Sequence, residues 1–174
     1  MPIPAYMSIE GESQGLITEG CNTEDSIGNI FQETHENEFL VQQFNHQIIV
    51  PTDPQSGQPS GQRVHKPVQV VKVFDRSSPL LYQALCTGER LPEVTISWYR
   101  ITNEGVEELY FTHTFEDATI IDISPFMPNA QDPNMAHFRH MEKVSLVYRK
   151  VSWTHEIAGT EGSDDWRQHC GEES

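Results

Sequence analysis

Two histidines form the first candidate for a metal or catalytic site. His137 and His140 stand at H-x-x-H spacing, with Asp132 and Glu142 close by in the sequence. Imidazole and carboxylate groups are zinc ligands, so this set could form a metal site. The histidines lie in a predicted loop, however, and the sequence identifies neither a third ligand nor the residues that would orient one. We therefore predict no metal site, and a metal-dependent hydrolase is the least favoured function.

Adjacent carboxylates at Asp164 and Asp165 form the second candidate. Neighbouring residues on a regular element point in different directions, so we do not expect these two groups to act together as general acid and general base. The sequence contains no G-x-S-x-G nucleophile motif, P-loop or Rossmann fingerprint. We predict a protein that makes contacts, with no catalytic residue and no cofactor, rather than an enzyme.

Length and charge limit the possible partners. The chain has 174 residues, and 26 acidic against 11 basic side chains give a formal charge of −15. This charge repels phosphate backbones and anionic lipid surfaces, so nucleic acid is not an expected partner. No run of 18 apolar residues exists, which predicts no membrane insertion. The length predicts a single domain over residues 1–174.

The N-terminus and the cysteines indicate the compartment. The first residues, MPIPAY, lack the basic region and apolar core of a secretory signal peptide. Cys21, Cys86 and Cys170 lie far apart without C-x-x-C spacing, which is typical of free thiols in a reducing compartment. We expect a cytoplasmic protein whose export, if any, needs no cleaved signal peptide.

Apolar residues alternate with polar ones along most of the chain, which predicts strands. The turn Asn103-Glu104-Gly105 is predicted to connect two of them as a hairpin. A shift of phase at Val70-Val71 predicts a bulge or burial on both sides. Strands are predicted at residues 3–10, at two short places within 11–37, and at 39–50, 68–74, 94–99, 106–115, 118–124 and 144–153.

One helix interrupts the strands. Ser78 is a suitable N-cap, Pro79 suits the first helical position, and Gly88 stands where a left-handed C-terminal residue belongs. Residues 125–142 are predicted to form a long loop, and the tail from Gly159 is predicted to be loop-like with Trp166 as its one anchor. Because strands and helices do not alternate, the sequence predicts an all-β, mostly antiparallel sandwich or barrel with the helix packed on it.

The most unusual segment is a long turn-rich excursion from Pro51 to Pro67, placed between two predicted strands. Glycine, proline and small polar residues dominate it, and its extended loop covers residues 51–62. Loops of this length in a compact domain are usually functional or disordered. We therefore expect this loop to make contacts outside its own domain.

Five segments together resemble haemolysin-coregulated protein, the Hcp family that forms the inner tube of the bacterial type VI secretion system. The resemblance spans nearly the whole chain, with the same order of elements. It lies in VPTDPQSGQPSGQRVHKP (Val50–Pro67), PLLYQAL (Pro79–Leu85), SWYR (Ser97–Arg100), AQDP (Ala130–Pro133) and VSLVYRKVSWTHEIAGTEGSDDWR (Val144–Arg167).

The resemblance implies a tail-tube-like β-barrel with one helix, assembled as a homohexameric ring around a lumen. Rings of this family stack into a tube, topped by a spike protein and enclosed by a contractile sheath, and the lumen holds small effector proteins. The implied protein is itself secreted through this apparatus. A phage-type tail-tube protein of related architecture is the alternative.

Within this interpretation the loop is the candidate contact between rings. Its polar and glycine-rich composition suits weak, reversible contacts. The three basic residues that follow have two possible roles: pairing with acidic residues of the next subunit, or satisfying the local start of a strand. The candidate stacking and inter-subunit residues are Thr52, Asp53, Gln55, Gly57, Ser60, Gly61, Arg63, His65 and Lys66.

Overall fold

Strands dominate the computed structural model of the protein, which describes residues 3–166. They are β1 (Ala5–Gly11), β2 (Gly15–Leu16), β3 (Phe39–Leu40), β4 (Gln43–Asn45), β5 (Ile48–Ile49), β6 (Val64–His65), β7 (Val68–Val73), β8 (Leu91–Ile101), β9 (Glu107–Phe126), β10 (Met141–Val147), β11 (Lys150–His155) and β12 (Thr160–Asp165). The helices are α1 (Glu24–Ile27), α2 (Ser78–Thr87) and the 3-10 helices Gly28–Ile30, Glu33–His35 and Pro133–Met135.

The longer strands close into an antiparallel barrel. Hydrogen-bonded neighbours run in the order β1, β8, β9, β10, β7 and β4, and β3 pairs with the other edge of β1. β3 and β4 are joined by Val41 and Gln42, whose amides donate to the carbonyl oxygens of Ala5 and Val71. Segment 39–45 therefore bridges β7 to β1 and protects both sheet edges. The predicted all-β, mostly antiparallel barrel is confirmed.

The barrel core is built from alternating side chains of these strands. Met7 and Ile9 on β1, and Val94 and Ile96 on β8, are fully buried. Leu81 of α2 joins the same core, because this helix packs on β9. Burying an aliphatic side chain of this size stabilises the fold by about 1.5–3 kcal/mol. The period-two pattern in the sequence thus places the core correctly.

β7 corrects the expected shift of phase. Its pairing with β10 keeps register from Val68 to Val73, without a bulge. Val68, Val70 and Lys72 are the buried residues, and Val71 is only half-buried. The alternation therefore continues through Val71, and the third inward position is taken by a lysine rather than by an apolar residue.

Helix α2 begins as the sequence indicates but uses a different serine. Ser77 stands at the N-cap position, but its side chain makes no capping hydrogen bond. The predicted cap, the Ser78 hydroxyl, is occupied inside the fold: it accepts from the Asp75 amide and donates to Glu142. The Asp75 carboxylate in turn accepts from the Ser77 amide at 2.8 Å. At the other end Gly88 has a φ of 67°, the left-handed conformation predicted for it.

β9 is one long strand where two were predicted. Its first half pairs with β8 and β11, and its second half pairs with β10. At the junction Asp117 has a φ of 52°, and its carboxylate accepts from Arg90 and Arg149. The predicted strand 144–153 is broken at residues 148–149 into β10 and β11, because each piece pairs with a different half of β9.

The region from residue 159 is not the predicted loop-like tail. Residues Thr160–Asp165 form β12, which pairs with β11 from Thr160 opposite His155 to Asp165 opposite Lys150. β12 is paired on one side only within the described residues and its first four residues are exposed, so its polar sequence TEGSDD needs no apolar alternation. Residues 167–174 of the tail lie outside the described part of the chain.

The segments before residue 50 also differ from expectation. Of the two short strands predicted within residues 11–37, the first is present as β2. The second position, residues 27–31, is occupied by the end of α1 and a 3-10 turn. The single strand predicted at 39–50 is divided into β3, β4 and β5, because the chain passes from β1 to β7 and then leaves the barrel.

Candidate assembly surface

The extended loop of the sequence is the end of a projecting hairpin, which we call the arm and define as residues 48–65. β5 and β6 form a two-stranded sheet of their own, separate from the main sheet. All residues from 52 to 62 are exposed, and we call them the tip; residues 48–49 and 63–65 form the base. The tip therefore presents its side chains to solvent beyond the barrel.

The tip has a defined main-chain structure. Thr52 pairs with Pro59 in an antiparallel bridge, and the Asp53 amide donates to the Gln58 carbonyl oxygen at 2.8 Å. Gly57 turns the chain with a φ of 70°, and its amide donates to the Asp53 carbonyl oxygen. Main-chain bonds and a glycine turn thus give the loop its shape.

Asp53 organises the turn with its side chain. Its carboxylate accepts from the Gln55 amide at 2.9 Å and from the Ser56 hydroxyl at 3.0 Å. These bonds lower the pKa of Asp53 below its ordinary value. Near the base the Ser60 amide donates to the Pro51 carbonyl oxygen at 2.7 Å, and Gly61 follows it in an exposed position. The six candidate residues of the tip lie together on this turn: Thr52, Asp53, Gln55, Gly57, Ser60 and Gly61.

Arg63 has a partner within its own chain, the carboxylate of Asp164. Its Nε donates to Oδ2 of Asp164 at 2.8 Å, and one terminal nitrogen donates to Oδ1 at 3.0 Å. A second bond from the same nitrogen reaches the Asp165 carbonyl oxygen. This two-point contact with β12 lowers the pKa of Asp164. The local interpretation of Arg63 is the one that the structure supports.

His65 is likewise satisfied within its own chain. Its ring is buried, with Nε2 2.7 Å from Oδ2 of Asp164 and Nδ1 2.6 Å from the Tyr148 hydroxyl. Trp166 stacks on the ring at a centroid distance of 5.6 Å. Lys66, in contrast, is exposed, and its ammonium forms no ion pair with any residue in 3–166. Of the three basic candidates, Lys66 is the one that is exposed in the single chain.

Two residues that the sequence did not single out, His46 and Tyr148, lie beside the base of the arm. The Tyr148 hydroxyl lies 2.7 Å from Nε2 of His46, which precedes β5. The pKa of His46 falls to about 4, first because the ring is removed from water and second because His65 is close. His46 and Tyr148 carry no sequence signal, because their contact joins residues that are far apart in the chain.

The candidates for chemistry are not brought together. Asp164 binds Arg63, whereas Asp165 binds Arg149 at 2.7 Å. Within residues 3–166 no three histidine, cysteine or acidic side chains are grouped as a metal ion requires. His137 and His140 lie in the loop before β10, as predicted.

Glu142, the carboxylate near those histidines, has a structural partner. It is fully buried and lies 2.7 Å from the Lys72 ammonium, which also contacts Asp75 at 3.1 Å. Lys72 further donates to the Ser78 hydroxyl at 3.1 Å. A buried charge is tolerated only when it is paired and hydrogen-bonded, so this cluster fixes β7, β10 and the start of α2 relative to one another.

None of the helices in the described part of the chain is long and apolar enough to span a membrane.

Comparison with known proteins identifies the family. A family model described as type VI secretion system effector, Hcp, matches residues 6–155. The chain is 60% identical to the major exported protein of Pseudomonas aeruginosa over 167 residues, which cover 96% of this chain and 97% of that protein.

Solved structures agree with this match. A crystallised Hcp protein is 50% identical, covers 97% of this chain and 100% of its own, and superposes with a TM-score of 0.92. The secreted protein Hcp3 from Pseudomonas aeruginosa is 51% identical, covers 96% of this chain and 100% of its own, and gives a TM-score of 0.81.

The fold and the family match together define a structural β-barrel component of a type VI secretion system, not an enzyme. The chain belongs to the Hcp family. The resemblance in the five sequence segments is thereby confirmed.

Proposed function

We propose that this chain is the subunit of the inner tube of a type VI secretion system, and that six copies form a ring. The observation that supports this most is the match to Hcp proteins over 96–97% of the chain, arm included. Heterologous contacts between identical subunits close into a ring when the rotation between neighbours divides a full turn. The one-sided edge of β12 and the projecting arm are surfaces suited to such contacts.

Rings stack into a tube, and the tip of the arm contacts the next ring. The tip is exposed and largely uncharged, so its contacts are weak one at a time and add up around a ring. Lys66 complements an acidic residue of a neighbouring subunit, since the chain carries 26 acidic side chains. The stacking residues are Thr52, Asp53, Gln55, Gly57, Ser60, Gly61 and Lys66.

The tube also sets the partners and the location of the protein. A spike protein caps the tube, a contractile sheath encloses it, and small effector proteins occupy its lumen. The subunit is cytoplasmic before assembly and is secreted with the tube, without a cleaved signal peptide. The name of the Pseudomonas aeruginosa relative, major exported protein, supports secretion.

Native mass spectrometry of the purified protein tests the ring. A dominant species of six subunits at micromolar concentration is expected, and negative-stain images are expected to show six-fold rings. Monomer alone at that concentration would refute the proposal. Secretion is tested separately, by detecting the unprocessed chain in culture supernatant and its loss when the sheath is removed.

A further inference from the structure

Side-chain contacts, rather than main-chain sheet pairing, hold the arm against the barrel. β5 and β6 pair only with each other in the sheets of residues 3–166. Two histidines flank the hairpin, His46 before β5 and His65 on β6, and both rings contact the same Tyr148 hydroxyl, at 2.7 and 2.6 Å. A single oxygen atom therefore joins both sides of the arm to the junction between β10 and β11.

Asp164 fixes the direction of the hydrogen bonds in this group. Because its carboxylate oxygen lies 2.7 Å from Nε2 of His65, that nitrogen must carry the proton. Nδ1 of neutral His65 is then an acceptor, so it receives the Tyr148 proton. The oxygen of Tyr148 accepts in turn from Nε2 of His46. Every polar atom in the chain of contacts is satisfied in this arrangement.

A second arrangement keeps both bonds at the Tyr148 hydroxyl when His65 carries two protons. Nδ1 of His65 then donates to the Tyr148 oxygen, and the Tyr148 hydroxyl turns to donate to His46. His46 accepts at Nε2 and moves its own proton to Nδ1. One added proton thus reverses the two bonds at Tyr148 without breaking either.

A further proton has no such solution. With both imidazoles charged, both rings would donate to Tyr148, and the hydroxyl proton would lose its acceptor. The other ionisable groups near this site are Arg63, Asp164 and Asp165 on one side and His113 on the other; the pKa of His113 also falls, to about 4, through burial and then through His46. Among residues 3–166, the carboxylate in hydrogen-bond contact with these histidines is Asp164, which already serves His65 and Arg63, so a second imidazolium is not compensated.

We propose that His46, Tyr148, His65 and Asp164 form a latch that sets the orientation of the arm on the barrel, and that this latch accepts one histidine proton by reversing its hydrogen bonds but opens on the second. This role goes beyond tube formation, because the latch acts within one subunit. It would keep the tip at a constant angle while the surrounding pH changes moderately.

The proton arrangement is tested in the unmodified protein by long-range proton–nitrogen NMR of the imidazole rings between pH 8 and 4. We expect His46 to change from the Nε2–H to the Nδ1–H tautomer before its own ring gains a second proton. His46 keeping the Nε2–H tautomer until its ring becomes charged would overturn the proposal.

The mechanical part is tested by hydrogen exchange in Tyr148→Phe, which keeps the ring and removes the hydroxyl. We expect exchange at the Lys66 amide, which bonds the Gln47 carbonyl oxygen at the base, to rise at least tenfold. Amides of β1 and β8 should change less than twofold. Tyr110→Phe on β9 is the matched control, because that hydroxyl makes no hydrogen bond within the described residues. Equal exchange at Lys66 in both variants would refute the latch.

These tests are independent of the tube. Both measurements follow one subunit, so they can succeed even if the protein forms no rings, and they can fail while rings and tubes form normally. If Tyr148→Phe does not fold, the NMR titration still decides, since it needs no substitution.

Discussion

The tip and the base of the arm are built in opposite ways. The tip is exposed and takes its shape from main-chain bonds, a glycine turn and the side chain of Asp53. The base is held by the side chains of Arg63, His65, Tyr148 and Asp164, most of them removed from water. A substitution at the tip therefore leaves few groups without a partner, whereas a substitution at the base leaves a charge or a buried ring nitrogen without one. One hairpin thus separates exposed residues, which we propose contact the next ring, from residues that hold the fold.

The largest effect that we expect is a loss of stability in acid, and it comes from two buried histidines near the base, His46 and His113. The pKa values of His46 and His113 fall from 6.5 to about 4 in the folded protein, mainly through burial. As pH falls from 6.5 toward 4, the unfolded chain binds these protons first, so the free energy of unfolding decreases in this window. At about 1.4 kcal/mol per pKa unit, protonation of each histidine alone lowers the free energy of unfolding by about 3 kcal/mol. The two histidines together lower it by less than twice that amount.

Urea unfolding at pH 7 and at pH 4.5 measures this loss. A variant without residues 52–62 should lose the same amount, because the tip contains no histidine. His113→Gln should lose less than the parent protein between the two pH values. Equal losses in the parent and in His113→Gln would show that other groups cause the acid sensitivity.

The next effect compares one aspartate from each region. Asp164→Ala leaves Arg63 and His65 without their shared partner, so we expect a loss of about 2 kcal/mol in the free energy of unfolding. The side chain of Asp164 is 30% exposed, which keeps this below the cost of breaking a fully buried pair. Asp53→Ala removes a carboxylate with two bonds at the exposed tip, and a loss under about 0.5 kcal/mol is expected.

Denaturant titrations of the two variants at pH 7 give both numbers under the same conditions. Similar losses at Asp164 and Asp53 would contradict the separation of tip and base. A loss confined to Asp53→Ala would reverse it.

The same contrast explains how far the sequence could be interpreted. The alternation around Met7, Ile9, Val94 and Ile96 predicts the barrel strands, because one face of each is buried by apolar groups. Lys72 breaks that rule, since its charge is buried with Glu142 from a strand 70 residues away. No local sequence pattern predicts such a pair.

The candidate site divides in the same manner. The tip can be predicted from the sequence because turn chemistry is local: Asp53, Gly57 and their neighbours make their bonds within nine residues. The base is invisible, because Arg63 and His65 meet Asp164 across about 100 positions. Asp164 also lies in β12, a strand whose polar sequence lacks the alternation that predicts strands.

Shortening the arm should change assembly and leave stability almost unaltered. Replacing residues 52–62 by a tight glycine-containing turn removes the proposed ring-to-ring contact. Each doubling of loop length costs only about 0.6 kcal/mol, so the melting temperature should move little. Rings should still form in native mass spectrometry, while tubes should disappear from electron micrographs and secretion should fall. Unfolding of this variant, or normal secretion, would remove the tip from the stacking contact.

The smallest effect that we expect per subunit is the response of stacking to salt. Six copies at −15 give a ring a formal charge of −90, and rings in a tube approach closely, so long-range repulsion opposes stacking. The Debye length falls from about 30 Å at 0.01 M salt to about 10 Å at 0.1 M, which screens this repulsion more than it screens short contacts. Moderate salt should therefore promote tubes.

A salt series tests the repulsion more directly than a pH series does. Lowering the pH toward the sequence pI of about 4.7 reduces the charge, but it also enters the pH window in which protonation of the buried histidines destabilises the fold. Light scattering of purified rings across a salt series at pH 7 separates the two forces. Since Asp53 is the only charged side chain of the tip, specific ion pairs between rings would have to come from Lys66 and its surroundings. Lys66→Gln should leave the promotion by salt intact if repulsion dominates. Stacks that dissolve as salt rises, and that fail to form at low salt in Lys66→Gln, would instead place an ion pair at the ring interface.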